Sequence, residues 1–290
     1  MSDITLINDS EQSSLVTNGL AKNGELYLKK AGSTDAGSIV VYDSGAWKTF
    51  ANEYVSGLSN NYSVSFDGTN DYVALSGLSS CYAFSCWIKP DSTITSSSGL
   101  KGNLLGSNSL AWFGGLGGDL TGDFTNELIT IRPALQQGFA YTSSTDTIPS
   151  SSWTHIAIRW EATNSQTNPN GAGYDIFKNG TKVGNAAGSS PITNPVTFST
   201  GLIGARQTSS FLFNGKIDEV AFWTSTVSES DVATMYNSGT PGDLSSLSPF
   251  GWWRMGDNDG GTGTTITDQG SGSNNGTLTN GPTFSTDVPS

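Results

Sequence analysis

Asp67 and Asp71 bracket the turn Gly68-Thr69-Asn70 within SFDGTNDYVAL (65–75). Two carboxylates this close can cap backbone amides at a corner, contribute to an oxygen cage around a cation, or act as an acid–base pair. A turn former needs only its own backbone, whereas Ca²⁺ takes about six to eight oxygens, many of them carbonyls. Further along, GKIDEVAFW places Asp218 in an alternating run. In a regular strand Asp218 shares a face with Val220 and Phe222, and Glu219 takes the other. A carboxylate turned to apolar surface must be paired, hydrogen-bonded or coordinated. Asp218 is therefore read as a calcium ligand or as an acceptor of backbone N–H groups, with Asp67 as a second candidate ligand.

A third group suits sugars. Trp112 in SLAWFGGLGGD is followed by Asp119 and Asp123, then by Arg132 and Tyr141. An aromatic ring packs against the C–H face of a sugar while polar side chains serve its hydroxyls. The alternative for Trp112 is a place in the core.

Catalytic signatures fail one by one. The seven glutamates are scattered, and no E-x-D-x-E run sets two carboxylates on one strand face for glycoside hydrolysis. His155 is the only histidine. It lies inside the strand-like WTHIAI, no G-x-S-x-G elbow accompanies it, and a multi-histidine zinc site is impossible. GGLGGD (114–119) lacks the G-K-[ST] ending of a phosphate loop and reads as a flexible crossing between strands. The sequence predicts a protein that is not an enzyme.

These residues must be positioned by strands. Glycine numbers 36 and charged residues make up only 13% of 290 residues, a profile of many short strands joined by tight turns. From Tyr62 onward the runs YSVSF, DYVAL, AFSCWIKP, ELITIRP, WTHIAIRWE, GYDIFKNGTKVG and FLFNGKIDEVAFW recur at short intervals. FKNGTKVG predicts a hairpin with a type I′ turn at Asn179-Gly180. Cys81 and Cys86 are too few for a disulfide framework, and Cys86 alternates like a buried small residue.

One helix is expected in VSESDVATMYNSGTP. Ser228 caps it, Asp231 stands at the capping-box position, and Val232, Met235 and Tyr236 form the apolar stripe. Gly239 is expected to close it, and the helix to plug one edge of the sandwich. Beyond it, FGWWRM is a strand candidate in which one of Trp252 and Trp253 faces in and the other packs outward on the N-terminal unit. The glycine-rich remainder, with Ile266, Leu278 and Phe284 spaced along it, is expected to lie on the sandwich. Residues 1–55 read as a small β unit for attachment or oligomerisation, and residues 56–290 as the sandwich with a C-terminal edge segment.

A net charge of −12, from 25 acidic and 13 basic residues, argues against nucleic acid as a partner. No apolar run is long enough to span a membrane. The opening MSDITLINDS has neither a basic n-region nor an apolar core, so no signal peptide is predicted.

The order of SFDGTNDYVAL, FSCWIKPDS, WTHIAIRW, YDIFKNGTKVG, LIGAR and FNGKIDEVAFWTSTVSESDVATMYNSG, over residues 60 to 240, resembles laminin-G-like members of the concanavalin A-like lectin/glucanase superfamily. The resemblance implies an all-β jelly-roll sandwich of two antiparallel sheets. It also implies a structural calcium on the convex face held by the aspartate at position 218. The tail from Pro249 resembles a segment that relatives carry before the FDG strand. Here it follows the helix, as a permuted edge or as the remnant of a following repeat. With the small unit at its front, the chain is similar to virion structural proteins of tailed phages. That likeness implies a decoration, head fibre or tail-fibre component made in the host cytoplasm and displayed on the virion surface. Its partners would be other virion proteins, copies of itself and cell-surface glycans. The alternatives are a purely structural decoration, or a carbohydrate-active enzyme on the same fold.

Overall fold

The computed structural model describes residues 5–7, 26–29, 39–43, 46–50, 58–98, 101–107, 112–117, 127–134, 137–142, 146–161, 173–185, 195–208 and 210–290. The chain divides into two compact units, Met1–Gly57 and Leu58–Ser290. The first holds a four-stranded sheet in the order Thr5–Ile7, Leu26–Lys29, Ile39–Asp43, Ala46–Phe50. Its first pair is parallel and the others antiparallel. The run SIVVYDSGAWKTF breaks into two strands with Asp43 opposite Ala46.

The second unit is the expected jelly-roll sandwich. Its first eight-stranded sheet runs Gln137–Thr142, Glu127–Ala134, Trp112–Leu116, Asn103–Gly106, Thr200–Ile203, Tyr72–Ser76, Gly276–Thr279, Thr265–Ile266. The second runs Thr181–Asn185, Gly173–Lys178, Thr154–Glu161, Ala83–Pro90, Asn214–Trp223, Ser63–Asp67, Thr283–Ser285, and Gly251–Trp253 pairs with Asn214–Trp223 beside this path. Gly114 and Gly115, expected in a crossing, lie inside the strand Trp112–Leu116, and Phe113-Gly115 is a register irregularity there.

Alternation explains which residues fill the space between the sheets. Phe84, Cys86 and Ile88 point inward from one strand, Ile156 and Ile158 from the next, Val64 and Phe66 from a third, and all belong to one continuous core. Cys81 and Cys86 are both buried and free. At the hairpin Asn179 and Gly180 take φ +50° and +71°, the two positive values that a type I′ turn demands.

The residues of opposite parity build a second apolar cluster on the outer face of the second sheet. Ala83, Ala157, Phe177, Ala221 and Trp223 meet Val232 and Met235 of the helix Glu229–Tyr236. The helix thus covers a sheet face rather than an edge, because these outward positions are apolar and had to be covered. Ser228 and Asp231 complete the capping box. The chain leaves the helix through Asn237 in the left-handed region, two residues before the expected Gly239. Tyr236 stacks on Trp87, 5.7 Å between ring centroids.

The tail is part of both sheets. Gly276–Thr279 pairs with Tyr72–Ser76, and Thr283–Ser285 with Ser63–Asp67, so it forms edge strands of this sandwich. Among the described residues no helix is long and apolar enough to cross a membrane.

Candidate functional site

The long strand Asn214–Trp223 builds the site. Ile217 stands opposite Ile88 and Asp218 opposite Trp87, but Ala221 stands opposite Ser85, so one residue has been gained between them. The extra residue is a β-bulge, and Glu219 within it has φ +46°, a left-handed conformation that non-glycine residues avoid. The bulge shifts the alternation by one. Val220 and Phe222 join Ile217 in the core between the sheets, while Ala221 and Trp223 fall in the helix-side cluster. Asp218, opposite Trp87, is on the helix side. The expectations that Asp218 shares a face with Val220 and Phe222, and that Glu219 takes the opposite side, are both overturned by this one-residue shift.

Asp218 and Glu219 instead converge with Asp257, each offering an oxygen within 4.8 Å of the others. Asp218 is 0% exposed and Glu219 2%. The Glu219 backbone N–H donates to Asp218 Oδ1 at 2.8 Å, and Asn60 Nδ2 donates to Asp218 Oδ2 at 2.9 Å. Trp252 Nε1 and Arg254 Nε donate to the two Glu219 oxygens at 2.6 and 2.8 Å. Arg254 also donates to the Ser59 carbonyl at 2.6 Å, and the Asn61 backbone N–H donates to Asp257 Oδ1 at 2.7 Å. Two segments distant in sequence, 59–61 and 252–257, therefore close over the bulge. Trp253 faces into the core between the sheets and Trp252 outward into the helix-side cluster, as adjacent strand positions must, and there the bulged Glu219 meets the Trp252 indole N–H.

Three carboxylates face one guanidinium here, so full ionisation leaves uncompensated negative charge in a buried space. Burial pushes Asp218 well above the usual carboxylate range, with Glu219 adding repulsion. Burial lifts Glu219 to about 7 despite Arg254. Asp257 is raised for the same reason. One further oxygen, Asn60 Oδ1, is buried without a hydrogen-bond partner. Three carboxylates gathered within 4.8 Å form a hard donor set of the kind that Ca²⁺ takes, and Asn60 orients one of them by its amide N–H. The spacing also approaches the roughly 5 Å of a retaining glycosidase pair. A sugar has no access to carboxylates this deeply buried, so the cluster suits a cation and not a substrate.

Asp67 is elsewhere. It stands opposite Asn214, four positions before Asp218 on the long strand. Its Oδ1 accepts the Thr69 N–H at 2.7 Å and the Asn70 N–H at 3.4 Å, while Asp71 Oδ2 accepts the Asp67 N–H at 3.0 Å. Both acids shape the corner, and the structure does not bring Asp67 and Asp218 together. His155 is fully buried against Trp87 and Tyr236.

Of the proposed sugar contacts, Asp119 and Asp123 lie outside the described residues, as do the side chains of Trp112, Arg132 and Tyr141. Their strands are described. Trp112 stands opposite Arg132 and opposite Gly106, and Gly106 opposite Leu202. This line of the register alternates with the line of core residues Leu105, Ile131 and Ile203. Tyr141 stands opposite Ile129, a core residue, in the other phase. The register thus groups Trp112 with Arg132 and separates Tyr141 from them.

A profile of the concanavalin A-like lectin/glucanases superfamily matches residues 67–233, more than half of the chain. No curated protein matches it in sequence. Among solved structures, a protein from Bacteroides ovatus ATCC 8483, provisionally described as carbohydrate binding, is similar with a TM-score of 0.53 and 20% identity, covering 92% of this chain and 71% of its own. A heptameric SAP-like pentraxin from Limulus polyphemus is similar at 13% identity and a TM-score of 0.38, over 61% of this chain and 82% of the pentraxin. Domain 4 of AbnA, a GH43 extracellular arabinanase from Geobacillus stearothermophilus, is similar at 15% identity and a TM-score of 0.33, over 75% of this chain and 93% of that domain. Sandwich, motif order and profile agree, and the chain belongs to the concanavalin A-like lectin/glucanases superfamily.

Proposed function

We propose that this protein is a non-enzymatic component of a phage virion surface that holds host-surface glycans through its sandwich, with Ca²⁺ bound as a structural ion. The observation that carries the glycan reading is the register that sets Trp112 beside Arg132 on the non-core line of the first sheet, an aromatic and a cation at adjoining positions. Asp218, Glu219 and Asp257 would hold the ion, with Asn60 orienting Asp218 through its amide N–H. Bound there, the ion neutralises the buried carboxylates and ties residues 59–61 to the bulge. The virion setting is supported by the motif order and the small β unit at the front. Many copies on one particle make weak single-site affinity sufficient.

The test is thermal unfolding with calcium and with EDTA, followed by glycan-array binding in both conditions. Calcium at about a hundredfold over its Kd is expected to raise Tm by roughly 5–10 °C, since it binds only the native state. Asp218→Asn removes that response. A protein indifferent to calcium overturns the ion, and one that retains no glycan in either condition overturns adhesion.

A further inference from the structure

The strand Thr200–Ile203 is followed by a small hairpin, Ala205–Gln207 paired with Ser210–Leu212. It lies directly against the first sheet: a Cβ on Gly106 would come within 2.3 Å of the Arg206 Cα. Only glycine fits beneath it. Gly106 is the ladder partner of Trp112, so the hairpin sits over the same line of the register that holds Trp112 and Arg132.

Phe211 on this hairpin carries two costs at once. It is the one large hydrophobic residue exposed among the described residues, at 39%. It also adopts φ +56°, where glycine or asparagine would sit without strain. Neither cost is offset by burial of the ring. The Arg206 guanidinium lies 4.8 Å from the ring centroid, which fixes the orientation of the ring and covers one of its faces. Strained residues cluster at binding sites, and a ligand that covers an exposed, oriented ring recovers the apolar burial that the free protein forgoes.

We infer that Phe211 is a sugar-stacking residue, and that the hairpin extends the Trp112–Arg132 position into one binding strip for a neutral pyranose chain. The ring offers apolar area to the C–H face of a hexose, a contact that needs no charge. The Arg206 charge is spent on the Phe211 ring, and the net charge of −12 over the chain disfavours long polyanionic glycans. This inference rests on the glycan reading above and names its ligand class.

The experiment compares wild type, Phe211→Ala and Phe211→Gly on an array of neutral and uronate-containing oligosaccharides, with Tm measured for each. Both variants are expected to lose about tenfold or more in affinity for neutral glycans, as loss of an aromatic contact area implies. Phe211→Gly is expected to gain about 2–4 °C in Tm because the left-handed strain is relieved, so its lost binding is not a folding defect. Variants that bind as wild type does overturn the role of Phe211 and leave the adhesion reading standing. A Phe211-dependent signal confined to uronate glycans overturns the neutral class. Wild type that binds no glycan at all overturns adhesion and this inference with it.

Discussion

His155 shows how one buried side chain sets a response to acid. It is fully buried, both ring nitrogens lack hydrogen-bond partners, and Trp87 lies 5.1 Å away between ring centroids. Burial lowers its pKa to about 3 from the ordinary 6.5. The folded protein therefore binds this proton less readily than the unfolded chain. The stability it lends is present above pH 6.5 and is lost as pH falls towards 3, at about 1.4 kcal/mol per pH unit within that window. His155→Leu, which has no proton to take up, is expected to flatten the fall in stability between pH 6 and 4, read by urea denaturation at each pH. An unchanged slope would assign acid sensitivity to other groups. The alternation of WTHIAI already marked this histidine as structural. Asp218 was also legible, as an acid in an apolar run. Glu219 was not, because nothing in GKIDEVAFW announces a non-glycine residue in the left-handed region, and that single dihedral turned both acids to one side. Asp257 and Asn60 were hidden for a different reason: they arrive from segments whose approach depends on how the tail folds back.

At the scale of elements, the ends of the helix differ in how openly they are written. Its start was plain, since Ser228 and Asp231 stand at the spacing that lets each side chain accept the other's backbone N–H, at 3.1 and 2.7 Å. Its end was misplaced because Asn237 can take the left-handed position that Gly239 was expected to fill. Ser228→Ala leaves one first-turn amide without its acceptor and is expected to cost about 1 kcal/mol, seen as a drop of roughly 2–4 °C in Tm. A variant as stable as wild type would mean that docking of Val232 and Met235 alone holds the helix. The strands themselves were legible from period-two alternation, but the cluster beneath the helix was not, since Trp223 turns outward only after the bulge shifts the phase. Nor was the face the helix covers, because alternation shows that both sides of this sheet are apolar without showing what lies on each.

For the molecule as a whole, the tail completes the sandwich as its spaced apolar residues led one to expect. Its glycine-rich composition resembles low-complexity sequence, yet Asp268 accepts backbone N–H groups from Trp252, Gly270 and Asn274 and folds it into ordered turns. Removal of residues 264–290 is expected to bare the edges of Tyr72–Ser76 and Ser63–Asp67, and such unpaired edges recruit other chains. Size-exclusion chromatography should then show aggregate in place of the species that the intact chain forms. A truncated chain that elutes and melts as the intact one does would show that the tail only decorates the sandwich.

The tail strands also impose an order in time. Thr277 pairs with Ala74 and Phe284 with Val64, partners more than 200 positions apart. At a synthesis rate of about 5–20 residues per second, the early strands wait roughly 10–40 s after they emerge from the ribosome before their edge partners exist. Throughout that interval the nascent chain carries two open strand edges, and a chaperone that shields them would have its longest task on this segment.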